Sequence, residues 1–187
     1  TVIQDEFDGL YFTDEENEWL DNRRRNITAL DNRYKQAIAY SAVGQAALAK
    51  RPYNLFHRAN LSMRTRDVER SFGNKTTWET PFETHFKAAV EEYNDAVFDN
   101  GRENAAYCED VIDWEPPDTG VVYLDPPYYD ATKSNSSTNY QKYYHFLEGY
   151  MDYDSWREQI NRSVKTKQLQ HTPSPWTNPD RVHAAYE

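Results

Sequence analysis

The stretch "VVYLDPPYYD", residues 121–130, joins a short apolar run to an acid, two prolines and two tyrosines. Four consecutive apolar residues, 121–124, are typical of a buried β-strand. The Asp-Pro-Pro-Tyr sequence at 125–128 ends that strand, because proline fixes φ and has no backbone N–H to donate to a neighbouring strand. We therefore expect a strand that stops at a rigid turn carrying a carboxylate.

This turn is suited to binding an amino group. The Asp125 carboxylate and the Pro126 carbonyl can both accept hydrogen bonds from one amine, whose lone pair then stays available for attack. Tyr128 offers an aromatic face on which a flat base can stack, as enzymes that flip a base out of the duplex require. Two other interpretations remain open: a turn that only provides rigidity, and a Pro-Pro-x-Tyr ligand for WW domains.

A second apolar run precedes the first. "NAAYCEDV", residues 104–111, and "GVVYLD", residues 120–125, both read as short strands that end in an acid. Ligands of α/β folds bind beyond the carboxyl ends of the strands. We therefore expect Asp110 and Asp125 at the same edge of a sheet.

The rest of the chain predicts helices. Thr13 and Glu16 form a capping box that opens the first helix. Further helices are expected to begin near Asp31, at Thr80 and near Tyr153, because apolar residues recur there at helical spacing. The positions expected to face the core are Leu20, Ile27, Leu30, Tyr34, Ile38, Ala42, Phe82, Phe86, Val90, Tyr93, Val97, Trp156 and Ile160.

The charge distribution is uneven. The chain carries a net charge of −10, which fits either adaptation to high salt or an ordinary solvated surface. Residues 52–78 nevertheless hold five cations against two carboxylates, a local net charge of +3. Phosphate contacts supply most of the affinity of proteins for nucleic acid, so this segment is where a nucleic acid would bind. Its cations are Arg58, Arg64, Arg66, Arg70 and Lys75.

Composition excludes several other classes of protein. The single cysteine, Cys108, permits no intramolecular disulfide, and the five histidines show no metal-ligand spacing, so we expect no metal site. No apolar run approaches the roughly 18 residues of a membrane helix, and no secretion sequence is visible. We expect a cytoplasmic protein that does not enter membranes.

Several motifs together resemble one family. The DPPY sequence after an apolar strand, followed by "YYHFLEGYMDYDSW" at 143–156, closely resembles the D12 class of DNA N6-adenine methyltransferases, the Dam-like alpha group. "RPYNLFHRANLSMR" at 51–64 and "RSFGNKTTW" at 70–78 are similar to the middle of such enzymes. The resemblance implies an α/β fold. It would be a partial form of the Rossmann-like fold of S-adenosylmethionine-dependent methyltransferases. Residues 1–102 would form a mainly helical target-recognition region and residues 103–187 the catalytic part.

The resemblance also implies roles for individual residues. The segment 125–128 would hold a target adenine, whose N6 attacks the methyl group of S-adenosylmethionine by direct in-line displacement. Asp110 would lie beside the adenine of that cofactor. Double-stranded DNA would contact the basic segment. The residues concerned are Asp125, Pro126, Pro127 and Tyr128 for catalysis, Asp110 for the cofactor, and Arg58, Arg64, Arg66, Arg70 and Lys75 for DNA.

One motif of this family is missing. None of the six glycines forms the Phe-x-Gly-x-Gly loop that approaches the cofactor. We therefore expect a second chain or a further segment to supply that loop. Two alternatives to adenine methylation stay open: a methyltransferase acting on another amino group, such as cytosine N4 or an RNA base, and a non-catalytic DNA-binding or partner subunit that kept the fold.

Overall fold

The computed structural model describes residues 1–67, 74–110, 114–115, 117, 120–125 and 140–170. Two compact units are present: Thr1–Phe98 with Gln141–His171, and a second that includes Asp99–Tyr140. No helix among the described residues is long and apolar enough to cross a membrane. The helices are α1 (Val2–Glu6), α2 (Asp14–Thr28), α3 (Arg33–Ala49), α4 (Ser62–Thr65), α5 (Asn74–Glu79), α6 (Phe82–Ala96), α7 (Tyr140–Met151) and α8 (Tyr153–Gln159), with a 3₁₀ turn at Pro52–Asn54.

Helix α2 begins at the predicted capping box. The Thr13 Oγ1 accepts a hydrogen bond from the Glu16 backbone N–H at 3.4 Å, and Glu16 Oε2 accepts one from the Thr13 N–H at 3.0 Å. These bonds satisfy two of the donors that a helix leaves unpaired at its start. Leu20 and Ile27 are buried as predicted, whereas Leu30 lies beyond the end of α2 and is exposed.

Helix α3 buries Ala42 as predicted, but the predicted core position Ile38 is only half-buried. Its N-cap is Asn32, whose Oδ1 accepts hydrogen bonds from the backbone N–H groups of Tyr34 and Lys35 at 2.9 and 3.1 Å. The Tyr34 side chain is exposed. Helix α3 packs against α6, and small side chains permit that approach. The buried residues of α3 are Ala39, Ala42, Val43, Ala46 and Ala47.

Aromatic rings from the two ends of the first unit form its core. The Phe56 and Phe146 rings stack with centroids 4.8 Å apart, and the Phe7 and Trp156 rings lie 4.8 Å apart. The Trp156 indole occupies the space where a Cβ would stand on Gly149, so only glycine fits there. The burial of Trp156 and Ile160 is confirmed. Helix α7, which no pattern in the sequence predicted, contributes Phe146 and Tyr150 to this core.

A polar group lies at the centre of this aromatic core. The Tyr11 hydroxyl is 2.8 Å from the carbonyl oxygens of both Phe56 and Thr166 and 3.0 Å from Nε2 of His145. A hydroxyl has one proton, so Tyr11 donates to one carbonyl and accepts from the His145 Nε2–H. Burial lowers the pKa of His145 to about 4, and the nearby Arg51 acts in the same direction. His145 is therefore neutral in the folded protein.

We expect the stability of this unit to fall as the pH drops from about 6.5 to about 4. In that window an unfolded histidine binds a proton while folded His145 does not, so each pH unit costs about 1.4 kcal/mol of unfolding free energy. Urea unfolding between pH 7 and pH 4 measures this slope. His145→Gln should flatten it, whereas His85→Gln, at a partly exposed position, should leave it unchanged. Equal slopes in the wild type and His145→Gln would contradict this assignment.

The predicted α/β fold is wrong for the residues that the structure describes. They are mainly helical, and the one β pairing among them is an isolated bridge between Ile160 and Leu169. The expected strands at 104–111 and 120–125 are irregular where described, and Val121 and Tyr123 are 87% and 85% exposed. An apolar run becomes a buried strand only when other strands pair with it and helices cover the sheet. The described residues supply no such neighbours.

Candidate functional site

The predicted catalytic segment is described up to Asp125. That carboxylate is exposed and follows the exposed, irregular backbone of 120–124. Pro126, Pro127 and Tyr128 lie outside the described residues. Asp110 is also exposed on irregular backbone. The shared sheet edge expected for these two acids is not formed, because no strand is present at either position.

The described residues near Asp110 do not by themselves fit a nucleotide-like cofactor. The Tyr107 ring centroid lies 6.3 Å from that of Trp114, and Tyr107 is exposed. Pockets for such ligands enclose most of the ligand surface. The exposed Tyr107 and the half-buried Trp114 do not by themselves give such enclosure.

In the basic segment, Arg64 is buried. Its guanidinium donates to both carboxylate oxygens of Glu16, at 2.6 and 2.8 Å, and to the carbonyl oxygens of Tyr11 and Trp78 at 3.2 and 3.3 Å. Only 6% of the side chain is exposed. This paired geometry is the strong form of the arginine–carboxylate interaction. Arg64 therefore joins the start of α2 to the last turn of α5.

Lys50 completes the same cluster. Its Nζ lies 2.8 Å from Glu16 Oε1 and donates to the carbonyl oxygens of Trp78 and Thr80 at 2.8 and 2.6 Å. Burial favours a raised pKa for Glu16, but the hydrogen bonds from Arg64 and Lys50 outweigh it and hold that pKa below its usual value. Burial lowers the pKa of Lys50. We call Glu16, Lys50 and Arg64 the Glu16 cluster.

The other predicted DNA-contacting residues differ from Arg64 in exposure. Arg58 is exposed, and its guanidinium lies 5.9 Å from the Tyr53 ring centroid. Arg66 is exposed at the end of α4 and makes no ion pair with any described residue. Lys75 Nζ lies 3.4 Å from Glu79 Oε1, and both side chains are mostly exposed. Arg70 lies outside the described residues.

Arg51 was not among the residues singled out by the sequence patterns. This guanidinium is buried and donates to the carbonyl oxygens of Leu55 and Arg58 at 3.2 and 2.7 Å, while lying 4.5 Å from the Tyr11 ring centroid. Burial lowers its pKa to about 10. Arg51 thereby holds the backbone of the loop that leads to Arg58. No residue pattern marks such a role, because its acceptors are backbone carbonyls.

Comparison with known proteins shows the family of this chain. The model of the family described as "D12 class N6 adenine-specific DNA methyltransferase" matches residues 5–178. This range includes Asp110, Asp125 and the whole basic segment. The chain belongs to this family. By its description, this family consists of adenine-specific DNA methyltransferases. The predicted resemblance is thereby confirmed.

A curated relative is consistent with this membership. The chain is 36% identical over 151 residues to the Type II methyltransferase M2.HphI of Haemophilus parahaemolyticus. The aligned region covers 78% of this chain and 44% of the relative. The D12-class chain therefore spans less than half the length of that relative. No solved structure gave a significant match.

The described part of this D12-class chain contains no cluster of the usual metal ligands. No group of three or more His, Cys, Asp or Glu side chains there is arranged to hold a metal ion. Cys108 is exposed and forms no disulfide. Among the described residues, the candidate functional residues are the Asp125 carboxylate and the exposed cations of the basic segment.

Proposed function

We propose that the protein containing this chain is a site-specific DNA methyltransferase that transfers a methyl group from S-adenosylmethionine to N6 of a flipped adenine. The observation that carries the proposal is the family match over residues 5–178, which includes the DPPY sequence at 125–128. By analogy with the relative's name, the enzyme would belong to a Type II restriction-modification system. A cytoplasmic location and a second chain or segment supplying the cofactor loop stay predictions.

In this proposal Asp125 acts on the adenine amino group. A carboxylate accepts a hydrogen bond from N6 and stabilises the positive charge that develops on the nitrogen as it attacks. An exposed side chain at the end of an irregular segment is accessible to a flipped base. Tyr128 would stack on that base, and Asp110 would contact the cofactor.

DNA contact is assigned to the exposed members of the basic segment. Arg58, Arg66 and Lys75 present their charges to solvent, whereas the Arg64 guanidinium is enclosed by Glu16 and two carbonyls. Cations that are exposed can neutralise phosphates and release counterions. We therefore propose that Arg64 supports the segment, and that Arg58, Arg66 and Lys75 contact DNA. Arg70, which lies outside the described residues, keeps this assignment from the sequence alone.

Arg66→Ala is expected to weaken DNA binding at all sequences and to reduce the slope of log affinity against log salt by about one unit. The reason is the loss of one phosphate contact. Titration of labelled duplex between low and moderate salt measures this slope. Arg33→Ala, which removes an exposed arginine from the start of α3, is the matched control and should change neither quantity. Unchanged affinity and slope for Arg66→Ala would remove it from the DNA interface.

The proposed reaction is tested by identifying the product. Full-length protein containing this chain is incubated with S-adenosylmethionine and duplex DNA, and the hydrolysed nucleosides are analysed by mass spectrometry. The proposal expects N6-methyladenine. N4-methylcytosine or methylated RNA would instead support a methyltransferase with another amino acceptor. DNA binding without any methylated product would support a non-catalytic subunit.

A further inference from the structure

A second basic stretch lies near the end of the first unit, far along the chain from the basic segment at 52–78. Residues 159–170, "QINRSVKTKQLQ", hold three cations and no carboxylate, in a chain whose net charge is −10. The cations are Arg162, Lys165 and Lys167. A concentration of positive charge on an acidic protein attracts anionic partners to that place. The stretch therefore needs an account of what it binds.

This stretch is an ordered turn. Ile160 and Leu169 form an antiparallel bridge and are both buried, and the Asn161 N–H donates to the Gln168 carbonyl at 2.8 Å. We call residues 160–169 the basic hairpin. Because the core anchors both of its ends, the backbone that carries the cations is in place before a partner binds. Such preorganisation lowers the entropic cost of binding.

The basic hairpin lies beside the loop that carries Arg58. The Tyr11 hydroxyl is 2.8 Å from the carbonyl oxygens of both Phe56 and Thr166. Two carbonyls that share one hydroxyl belong to adjacent backbone segments. Arg58 follows Phe56 by two residues, and Thr166 stands between the two lysines of the hairpin. The hairpin and the basic segment are therefore neighbours in space, although about a hundred residues separate them in the chain.

The electrostatics around His57 support this grouping of charges. Burial lowers the pKa of His57, and the positive charges of Arg58, Lys142 and Arg51 act in the same direction. Lys142 belongs to α7 and the other two belong to the loop. Cations from separate elements thus surround His57, next to the hairpin.

The ion pairs of the hairpin show which of its cations is available. Arg162 Nη2 donates to Glu6 Oε1 at 2.7 Å, and Lys167 Nζ lies 3.5 Å from Glu6 Oε2. Lys165 is exposed and makes no ion pair with any described residue. Arg162 therefore fastens the hairpin to α1, whereas Lys165 presents its charge to solvent.

We propose that the basic hairpin contacts the phosphates of duplex DNA, with Lys165 as the principal contact and Lys167 as a second, on one surface shared with Arg58. This inference rests on the proposed function, which supplies DNA as the partner. Phosphates neutralised by lysines release counterions, and this release provides affinity at any sequence. The hairpin would position the duplex, and other residues would read its bases.

Lys165→Ala is expected to weaken binding of full-length protein to DNA by roughly three- to tenfold and to reduce the slope of log affinity against log salt by about one unit. Titration of two labelled duplexes of unrelated sequence measures both quantities, and the loss should be equal on the two. Arg58→Ala combined with Lys165→Ala should reduce the slope by about two units, because the two side chains neutralise different phosphates. The Tm of Lys165→Ala should equal that of the wild type, since the side chain is exposed.

Lys35→Ala is the matched control. Lys35 is exposed in the first turn of α3, whereas the loop to Arg58 follows the last turn, roughly 22 Å further along that helix. Unchanged affinity and slope in Lys165→Ala, while the wild type binds DNA and methylates it, would overturn this inference and leave the proposed function intact. A loss on only one of the two duplexes, or an equal loss in Lys35→Ala, would also overturn it. Absence of DNA binding by the wild type would overturn both.

Discussion

Arg64→Ala is expected to lower the free energy of unfolding by about 3 to 5 kcal/mol, the usual cost of removing one partner from a buried ion pair. The substitution leaves the Glu16 carboxylate with Lys50 as its only cation, beside the Thr13 N–H, and takes away the hydrogen bonds to the Tyr11 and Trp78 carbonyls. Urea unfolding measures the change. Lys75→Ala is the matched control, because its ion pair with Glu79 is exposed and should contribute about 0 to 1 kcal/mol.

Two further variants separate the charge of Arg64 from its shape. Arg64→Lys keeps the charge but cannot donate to both Glu16 oxygens at once, so its loss of stability should lie between those of the wild type and Arg64→Ala. In a double-mutant cycle, Glu16→Gln combined with Arg64→Ala should cost less than the sum of the two single changes. A cost below 1 kcal/mol for Arg64→Ala would show that the Glu16 cluster does not stabilise the fold. Arg64 would then return to the set of residues available to DNA.

Asp125→Ala is expected to reduce methyl transfer by roughly 10²- to 10³-fold, or about 2.7 to 4 kcal/mol, by analogy with the loss of one preorganised polar group. Because the carboxylate acts as charge develops on the amine, the loss should fall on the chemical step. Single-turnover kinetics of the full-length protein on duplex DNA measures that step. The affinity for DNA should stay within a factor of about two, since a carboxylate repels phosphates and adds nothing to their binding.

Glu103→Ala supplies the control for Asp125→Ala. Glu103 is another exposed carboxylate of the second unit, outside the DPPY sequence, and its removal should leave the rate unchanged. Full activity of Asp125→Ala would exclude the proposed role of Asp125. Equal losses of rate in both variants would show that the overall negative charge of this unit matters. The DPPY carboxylate would then have no special function.

The sequence predicted the parts of the fold that depend on neighbours in the chain. The capping box at Thr13 and Glu16 was found because both partners lie within one helical turn. The strand at 121–124 was predicted from its own apolar residues, but a strand also needs partners that lie elsewhere. Within the described residues those partners are missing, and the apolar side chains are exposed instead.

For the candidate site too, features that depend on nearby residues were predicted, and features that depend on distant partners were not. Membership of the D12 class followed from short motifs, and the match over 5–178 confirms it. The burial of Arg64 could not be predicted, because its partner Glu16 lies 48 residues away and was already explained as a capping residue. A local count of positive charges does not show which of them a distant carboxylate has neutralised.

The Tyr11 hydroxyl at the centre of the core has a consequence for the order of folding. It contacts Phe56, His145 and Thr166, partners that are 45, 134 and 155 residues away in the chain. During synthesis the Tyr11 hydroxyl therefore lacks its full set of partners until Thr166 has left the ribosome. Contacts of such long sequence separation form slowly and leave apolar surface exposed meanwhile. We expect nascent chains of this protein to need chaperone protection until the segment after α8 is made.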